Sequence, residues 1–388
     1  MEHNRVVELG SLIKPAKTIR CGDDYYPVLS MTMHDGLVFQ EEKFKKEVAS
    51  KNKADYKVVF KNQLVVGFPI DEGVLATQRI VDAGIVSPAY GIWDVDQSKI
   101  HPEFLEWALR SARALDYYRA KLRGSTARRR SLPTETFLKF TLPLPSISEQ
   151  MHILDIIHKL QVMLRSRQQQ LAKLDELVKA RFVEMFGDSE YNTKHWPVVK
   201  LSDICEVGSS KRIYKNEQSS SGVPFLRISD LNERIDGKVK NPEIFISIEK
   251  YDELKLQGMV PIAGDVLVTS RGTLGRCYIV TEEDVFYFQD GMISWLSKID
   301  ARAASLYLSY LFSMRGIRKQ IEMLQAGSTV AYLSITMLKK LDIMLPPPEL
   351  QRRFLSFAEQ IDKLKLSIKK SLEQMETLKK ALMQQYFG

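Results

Sequence analysis

The sequence predicts an α+β protein in which two globular domains are joined by two long helices that pair as an antiparallel coiled coil, with an internal pseudo-twofold repeat. Three observations lead to this fold class. Residues 150–187 and 351–388 align without a gap. Both copies carry an apolar stripe at helical spacing. A proline-containing hinge and a globular stretch of similar length precede each copy, so the chain is an internal duplication.

Length and composition suit this organisation. At 388 residues the chain exceeds what one hydrophobic core usually supports, and 44% hydrophobic with 27% charged residues is typical of globular proteins. We therefore expect a first globular domain over 1–145, a first helical spacer over 146–187, a second globular domain over 188–346 and a second helical spacer over 347–388.

The globular stretches mix strands with helices. Short apolar runs bounded by turn residues predict strands at Val58 to Phe60 and at Asp265 to Thr269. One helix is predicted over 102–123, because Pro102 suits a first helical turn and Gly124 a helix end, with a counterpart over 300–325. The repeat also includes the turns that follow these helices, Gly124-Ser125-Thr126 and Gly327-Ser328-Thr329.

The two spacer helices carry long apolar stripes, and leaving such stripes exposed to water is energetically unfavourable. At 1.5 Å per residue a helix of about 37 residues is about 55 Å long. The stripes consist of Ile153, Ile157, Leu160, Leu164, Leu171, Leu174 and Val178, and of Phe354, Ala358, Ile361, Leu364, Ile368, Met375 and Leu378. Antiparallel pairing of the two copies would bury both stripes. The alternative is that each helix packs only on its own domain.

The net charge of +8 and the isoelectric point near 9.1 indicate an acidic partner, nucleic acid before an anionic membrane surface. No apolar run approaches the ~20 residues of a membrane span and the start is not signal-like, so we expect a cytosolic protein without a membrane partner. Cys21, Cys205 and Cys277 are too far apart to suggest a disulfide framework or a thiolate metal site.

Motifs for catalysis are missing from the sequence. It contains no P-loop, HExxH, GxSxG or calcium-loop pattern, and its six histidines are scattered. The segment Gly272-Thr273-Leu274-Gly275 resembles half of a phosphate loop but lacks the flanking pattern. We therefore expect no catalytic site, no metal site and no cofactor in this chain.

Basic residues cluster around the Gly-Ser-Thr turns and in loops of the second half. Backbone N–H groups and guanidinium groups at such turns can bind phosphate oxygens or guanine edges. We expect DNA contacts from Lys121, Arg123, Ser125, Thr126, Arg128, Arg129 and Arg130, and from Lys211, Arg212, Lys215, Arg227, Arg271, Arg276, Ser328 and Thr329. The alternative is an exposed basic face that serves only solubility.

Over essentially its whole length the chain resembles the DNA-specificity subunit of type I restriction-modification systems. The most specific stretch is 142–188, where a Leu-Pro-x-Pro hinge leads through Glu149-Gln150 and a leucine-spaced helix to Leu174-Asp175-Glu176-Leu177-Val178 and Glu184-Met185-Phe186-Gly187-Asp188. A weaker version spans 345–388. The first domain departs from the pattern, since it lacks a clear equivalent of the Ser/Gly loop at Ser209 to Lys211.

The resemblance implies two target-recognition domains, separated by two helical spacers, in a non-catalytic subunit that binds a bipartite double-stranded DNA target. It also implies that two adenine methyltransferase subunits dock on the chain and that restriction/translocase subunits assemble through them. Two rival functions stay open. A coiled-coil scaffold for protein interactions would show no salt-sensitive DNA affinity, and an enzyme with an unrecognised site would act alone.

Overall fold

The computed structural model describes residues 5–33, 35–43, 53–122, 132–238, 241–325 and 331–388. The chain divides into two compact units. Unit 1 comprises Met1–Gln169 together with Lys369–Gly388, and unit 2 comprises Gln170–Ile368. Each of the two long helices therefore contributes one part to each unit.

Unit 1 contains short strands, short helices and the first part of a long helix. Its strands are β1 (Arg5–Glu8), β2 (Ile13–Pro15), β3 (Leu29–Thr32), β4 (Gly36–Phe39), β5 (Lys57–Phe60), β6 (Leu64–Val66), β7 (Leu75–Thr77), β8 (Ala83–Val86), β9 (Gly91–Val95) and β10 (Thr141–Leu144). Its helices are α1 (Gln40–Lys43), α2 (Pro102–Leu109), α3 (Ala112–Lys121), α4 (Thr134–Leu138) and the start of α5 (Ile147–Phe186).

Unit 2 has the same kind of composition. Its strands are β11 (Val198–Lys200), β12 (Glu206–Gly208), β13 (Gln218–Ser219), β14 (Val223–Leu226), β15 (Phe245–Ile246), β16 (Val266–Thr269), β17 (Cys277–Ile279), β18 (Tyr287–Phe288), β19 (Ile293–Ser297) and β20 (Asp342–Met344). Its helices are α6 (Ile228–Ile235), α7 (Ile248–Leu256), α8 (Ser305–Ser313), α9 (Arg315–Leu324), α10 (Ile335–Lys339) and the start of α11 (Pro348–Phe387).

One four-stranded antiparallel sheet occurs in both units. Its strand order is β2-β9-β6-β7 in unit 1 and β12-β19-β16-β17 in unit 2. The strands that bracket each domain also correspond, since β1 pairs with β10 and β11 pairs with β20. The same elements recur in the same order, so the predicted duplication extends through the globular parts, and the strands predicted at 58–60 and 265–269 are confirmed.

Helices cover one face of each sheet and form the main core of each unit. In unit 1, Leu64 and Trp93 of the sheet share a core with Phe104 of α2 and Tyr118 of α3. In unit 2, Val266, Val268 and Leu296 share a core with residues of α8 and α9, which are Tyr307, Leu308, Leu311, Phe312, Ile317 and Ile321. Burial of these large side chains is the main favourable term in folding of each unit.

Each of the helices predicted over 102–123 and 300–325 is divided in two. Ser111 has an extended backbone (φ −66°, ψ 156°), and its hydroxyl accepts a hydrogen bond from the Ala114 N–H at 3.2 Å, which caps α3. Met314 has a similar backbone (φ −79°, ψ 158°) between α8 and α9. The prediction of one continuous helix is wrong at both places, because one residue with an extended backbone interrupts the helix and the bend lets both segments pack on one core; only in unit 1 does a serine cap the second segment.

The two long helices, α5 and α11, are each 40 residues long. In unit 1 the start of α5, with Ile153 and Ile157, shares a core with Phe387 at the end of α11. In unit 2 the end of α5, with Phe182, shares a core with Phe354 and Ala358 at the start of α11. Within each unit the start of one helix packs against the end of the other, so the predicted antiparallel pairing is confirmed.

Two residues predicted in the helical seam are exposed instead. Leu364 is 53% exposed and Leu378 is 51% exposed. The heptad spacing that continues from Ile361 leads to Lys365, whose side chain is only 18% exposed and whose Nζ lies 2.6 Å from Asp175 Oδ1 on α5. For Leu364 the prediction is wrong by one position, because a lysine stem with a paired ammonium can occupy a seam position, and for Leu378 it is wrong because that side chain is exposed.

Candidate nucleic-acid interface

Three loops of unit 2 meet at one edge of its main sheet. Strand β12 ends at Gly208, which pairs with Trp295, and β16 ends at Thr269, which pairs with Ile293 at the start of β19. The loop after β12, the loop before β19 and the β16–β17 loop are therefore neighbours. We call residues 209–215, 270–276 and 289–292 the edge site.

The Ser/Gly loop after β12 is anchored by buried hydrogen bonds. The Ser210 hydroxyl, 8% exposed, donates to the Phe288 carbonyl at 2.7 Å. The Lys211 N–H donates to the Tyr287 hydroxyl at 2.8 Å, and burial raises the pKa of Tyr287 to about 12. The loop backbone is thus fixed while the Lys211 side chain is exposed.

The β16–β17 loop is a tight hairpin. Its Thr269 N–H donates to the Arg276 carbonyl at 2.9 Å, and Gly275 adopts a left-handed backbone (φ 68°) that suits glycine. Arg271, the second residue of this loop, is exposed, and its guanidinium lies 4.9 Å from the centre of the Tyr332 ring. Stacking on an aromatic ring leaves the edge of a guanidinium available to a ligand.

Two of the predicted DNA-contacting arginines are held by carboxylates of the same unit. Arg212 Nε donates to Asp290 Oδ2 at 2.9 Å, a hydrogen bond that raises the pKa of Arg212. Arg227 Nη2 donates to Glu243 at 2.8 Å and its Nε to Asp230 at 3.3 Å, and these bonds raise the pKa of Arg227. Both guanidiniums therefore stabilise loops as well as carrying positive charge.

Arg276 links the hairpin to helix α6. Its Nη1 donates to Asn232 Oδ1 at 2.8 Å, and its Nη2 is paired with Asp236. Its side chain is 24% exposed, so Arg276 mainly orients the hairpin that carries Arg271. Among the described residues, Lys211, Lys215 and Arg271 form no ion pair.

The remaining predicted contacts belong to the Gly-Ser-Thr turns. Lys121 is the last residue of α3 and is exposed. The other predicted residues there, Arg123, Ser125, Thr126, Arg128, Arg129, Arg130, Ser328 and Thr329, lie outside the described residues. The chain that follows the second turn reaches the edge site, since Tyr332 bridges to Arg271 and the Leu333 N–H donates to the Ser270 carbonyl at 3.0 Å.

Sequence reasoning missed three residues that shape the edge site. Tyr332 supports the Arg271 guanidinium, Asp290 holds Arg212, and Ser210 anchors the loop. Tyr332 had a usable signal because it closely follows the Gly-Ser-Thr turn, and Ser210 had one because it lies in the Ser/Gly loop. Asp290 is 78 positions away from its partner, a distance that no local pattern spans.

The described residues contain no cluster of side chains suited to holding a metal ion. None of the helices over that part of the chain combines the length and the apolar character that crossing a membrane requires. Its three cysteines are free thiols, with Cys21 and Cys205 buried and Cys277 half-buried.

Residues 193–377 match the family described as "Type I restriction modification DNA specificity domain". A putative type I restriction enzyme specificity subunit of Haemophilus influenzae is 33% identical over 178 residues, which cover 45% of this chain and 42% of that protein. The type I restriction enzyme MjaVIII specificity subunit of Methanocaldococcus jannaschii is 24% identical over 268 residues, which cover 64% and 61%. The chain thus spans about half the length of the curated relatives it matches.

Two solved structures are similar over nearly the whole chain. A structure described as the "structural basis underlying complex assembly and conformational transition of the type I R-M system" has 18% identity and a TM-score of 0.60, and covers 99% of this chain and 97% of that one. The type I restriction-modification system S subunit from M. genitalium has 15% identity and a TM-score of 0.54, covering 99% and 96%. These likenesses confirm the predicted fold class. The match over residues 193–377 and the similarity to curated specificity subunits confirm the predicted resemblance to type I specificity subunits.

Proposed function

We propose that this chain is the non-catalytic specificity subunit of a type I restriction-modification complex and that it reads a bipartite double-stranded DNA target through two target-recognition domains. The observation that carries the proposal is the edge site. It presents exposed cations at the edge of a sheet that occurs twice in the chain, and hydrogen bonds to Phe288 and Tyr287 hold the loop that carries Lys211 in place. A rigid, positively charged edge of this kind suits phosphate and base contacts.

The proposed contacts divide by role. Lys211, Lys215 and Arg271 contact DNA directly, and Lys121 and the Gly-Ser-Thr turns add further contacts. Arg212, Arg227 and Arg276 contribute charge while holding the loops through their carboxylate partners. A lysine that neutralises a phosphate adds about one unit to the slope of log affinity against log salt concentration.

The test is to measure DNA affinity of the complex over a range of salt concentrations. Lys211→Ala and Lys215→Ala should each weaken binding and reduce the salt slope by about one unit. The matched control is Lys255→Ala, which removes an exposed lysine of α7 outside the edge site and should leave the slope unchanged. An affinity for DNA that does not depend on salt would favour the alternative, a coiled-coil scaffold without DNA specificity.

Exposed apolar residues of the long helices support the docking of two identical partners. Leu364 and Leu177 in unit 2 are 53% and 47% exposed, and their repeat equivalents Met163 and Leu378 in unit 1 are 49% and 51% exposed. In unit 2 the Lys365–Asp175 ion pair brings these two exposed residues to nearly the same level of the helix pair. Each unit thus presents the same pair of exposed apolar residues. We propose that one adenine methyltransferase subunit docks on each pair. Restriction/translocase subunits then bind to the complex through the methyltransferase subunits.

Native mass spectrometry of the assembled complex tests this docking. The double variant Leu177→Glu and Leu364→Glu should lose one of the two methyltransferase subunits, because burial of an unpaired carboxylate is unfavourable. The double variant Met163→Glu and Leu378→Glu should lose the other. Gln374→Glu, at an exposed position of α11, is the control and should keep both. Unchanged stoichiometry in both double variants would contradict the assignment.

A further inference from the structure

The loop between β6 and β7 in unit 1 holds the same place in its sheet as the hairpin that carries Arg271 in unit 2. The loops comprise residues 67–74 in unit 1 and residues 270–276 in unit 2. The Gly67 N–H donates to the Val74 carbonyl at 2.8 Å, and the Thr269 N–H donates to the Arg276 carbonyl at 2.9 Å. The next-to-last residue of each loop is a left-handed glycine, with φ of 77° in unit 1 and 68° in unit 2. Both loops are thus closed in the same way, but they carry different sequences, and residues 70–72 of the unit 1 loop form a 3-10 helix that the unit 2 loop does not have.

Each loop exposes a large side chain close to its start, and the chemistry differs between the two units. The closing hydrogen bonds align Phe68 with Ser270 and Pro69 with Arg271, so the two exposed side chains lie one position apart. In unit 2 the exposed side chain is Arg271, supported by the Tyr332 ring. In unit 1 it is Phe68, which is 58% exposed, and it is followed by Asp71 and Glu72 rather than by a second cation. A single exposed phenylalanine is common on protein surfaces, so its meaning here comes from its place on the equivalent loop.

The neighbouring loop of unit 1 also has a counterpart in the edge site. The segment after β2 holds the position that the Ser/Gly loop holds after β12, since β2 and β12 are the corresponding outer strands of the two sheets. It exposes Lys17 and Arg20, and Arg20 is paired with Asp55 much as Arg212 is paired with Asp290. Among the described residues Lys17 forms no ion pair. The edge of unit 1 thus exposes an apolar side chain, Phe68, on one loop and a cation suited to a phosphate, Lys17, on the neighbouring segment.

Apolar side chains read thymine through its 5-methyl group, whereas arginine reads the O6 and N7 acceptors of guanine in the major groove. We propose that Phe68 of unit 1 reads a thymine in one half-site and that Arg271 of unit 2 reads a guanine in the other. This inference rests on the proposed function, and it names the base that each domain selects at one position. Lys17 and Lys211 fix the position of each loop along the DNA by binding a phosphate of the DNA backbone beside that base.

Modified bases test the two contacts separately. Once adenine methylation mapping has defined the target, the complex is titrated with duplexes in which deoxyuridine replaces each thymine in turn, or 7-deazaguanine replaces each guanine. Deoxyuridine lacks only the methyl group and should weaken wild-type binding about fourfold at one position of one half-site. 7-Deazaguanine lacks the N7 acceptor and should weaken wild-type binding about tenfold at one position of the other half-site.

The variants assign each effect to a residue. Phe68→Ala should bind thymine and uracil duplexes equally well while keeping its sensitivity to 7-deazaguanine, and Arg271→Ala should show the reverse. Phe68→Leu, which keeps an apolar side chain, should retain part of the methyl preference. Both side chains are exposed, so unfolding curves of the variants should match the wild type and exclude loss of folding as the cause.

The outcomes distinguish a failure of the base assignments from a failure of the proposed function. A complex without sequence-specific DNA binding would overturn the proposed function itself. If the wild type binds one sequence specifically and Phe68→Ala is still weakened by the uracil substitution to the same degree, the assignment of Phe68 is wrong while the function stands. A wild type that is indifferent to 7-deazaguanine at every guanine would overturn the assignment of Arg271 in the same way.

Discussion

Gln150 and Gln351 make the same three hydrogen bonds in the two halves of the chain. The amide oxygen of Gln150 accepts from the His101 N–H at 2.8 Å, and its Nε2 donates to the carbonyls of Lys99 at 3.1 Å and Pro145 at 2.9 Å. Gln351 Oε1 accepts from the Ala304 N–H at 2.8 Å, and its Nε2 donates to the carbonyls of Arg302 at 2.7 Å and Pro346 at 2.8 Å. Each buried amide thereby joins the first turn of a long helix to the chain entering α2 or α8.

Replacement of either glutamine should destabilise its unit. Gln150→Ala leaves a buried backbone N–H and two carbonyls unpaired, and it should lower the free energy of unfolding by about 2 to 4 kcal/mol in urea denaturation followed by circular dichroism. Gln351→Ala should have a similar effect. The control is Gln169→Ala, at an exposed position of the same helix as Gln150. Equal urea denaturation curves for Gln150→Ala and Gln169→Ala would show that the Gln150 amide does not stabilise its unit.

The end of each long helix should stabilise the unit into which it packs. The Phe387 ring lies 5.0 Å from the Phe104 ring in unit 1, and the Phe186 ring lies 5.0 Å from the Tyr307 ring in unit 2. Phe387→Ala should cost about 3 to 5 kcal/mol and speed hydrogen exchange in α2. Phe186→Ala should instead speed exchange in α8. Phe387→Leu is the control and should have a smaller effect. Faster exchange of α8 in Phe387→Ala would contradict this assignment.

Asp265 should make stability depend on pH. Its carboxylate is 5% exposed and accepts hydrogen bonds from Trp295 Nε1 at 2.8 Å and from the Ile262 N–H at 2.9 Å. Burial raises its pKa, and the hydrogen bonds only partly oppose this. The folded state therefore holds the proton more tightly than the unfolded state. The resulting stabilisation is complete below the unfolded pKa, near 4, and is lost as pH rises through the folded value.

The variant Asp265→Asn keeps an amide oxygen that can accept both hydrogen bonds but cannot ionise. Its free energy of unfolding should fall less than that of the wild type as pH rises from about 4 to 7. Urea denaturation at a series of pH values measures this difference. Asp252→Asn, at an exposed position of α7, is the control. Parallel pH profiles for Asp265→Asn and the wild type would exclude this carboxyl as the source.

Cys205 should be unreactive while unit 2 is folded. It is 7% exposed, and burial raises the pKa of its thiol to about 12. Since only the thiolate is nucleophilic, its alkylation by iodoacetamide at pH 8 should be slower than that of a free cysteine by about 10³-fold. Mass spectrometry of the labelled peptide gives the rate, with the urea-unfolded chain as the reference. A native rate equal to the unfolded rate would show that the thiol is accessible.

Local patterns were sufficient for much of the fold. The spacing of Ile153, Ile157 and Leu160 predicted a buried helical stripe, and these residues are buried. The run at Val266 to Val268 predicted a strand, and the structure places β16 there. Such patterns succeed because a helix or strand with one apolar face carries its period in neighbouring residues. The prediction for Leu364 was wrong because contact with α5 determines which residues of α11 are buried, and the spacing of apolar residues alone allowed two adjacent registers.

The order of amino acids was enough to establish the duplication, the two long antiparallel helices and the resemblance to specificity subunits, because these follow from repeats and periods within one stretch of chain. The tertiary structure decided which basic side chains pair with carboxylates of the same unit and which remain exposed without an ion pair. Arg212 and Arg271 look alike in the sequence, yet Asp290 holds the first and Tyr332 supports the second. It also placed Phe68 on the loop equivalent to that of Arg271. Those distinctions depend on partners distant along the chain, which only folding brings together.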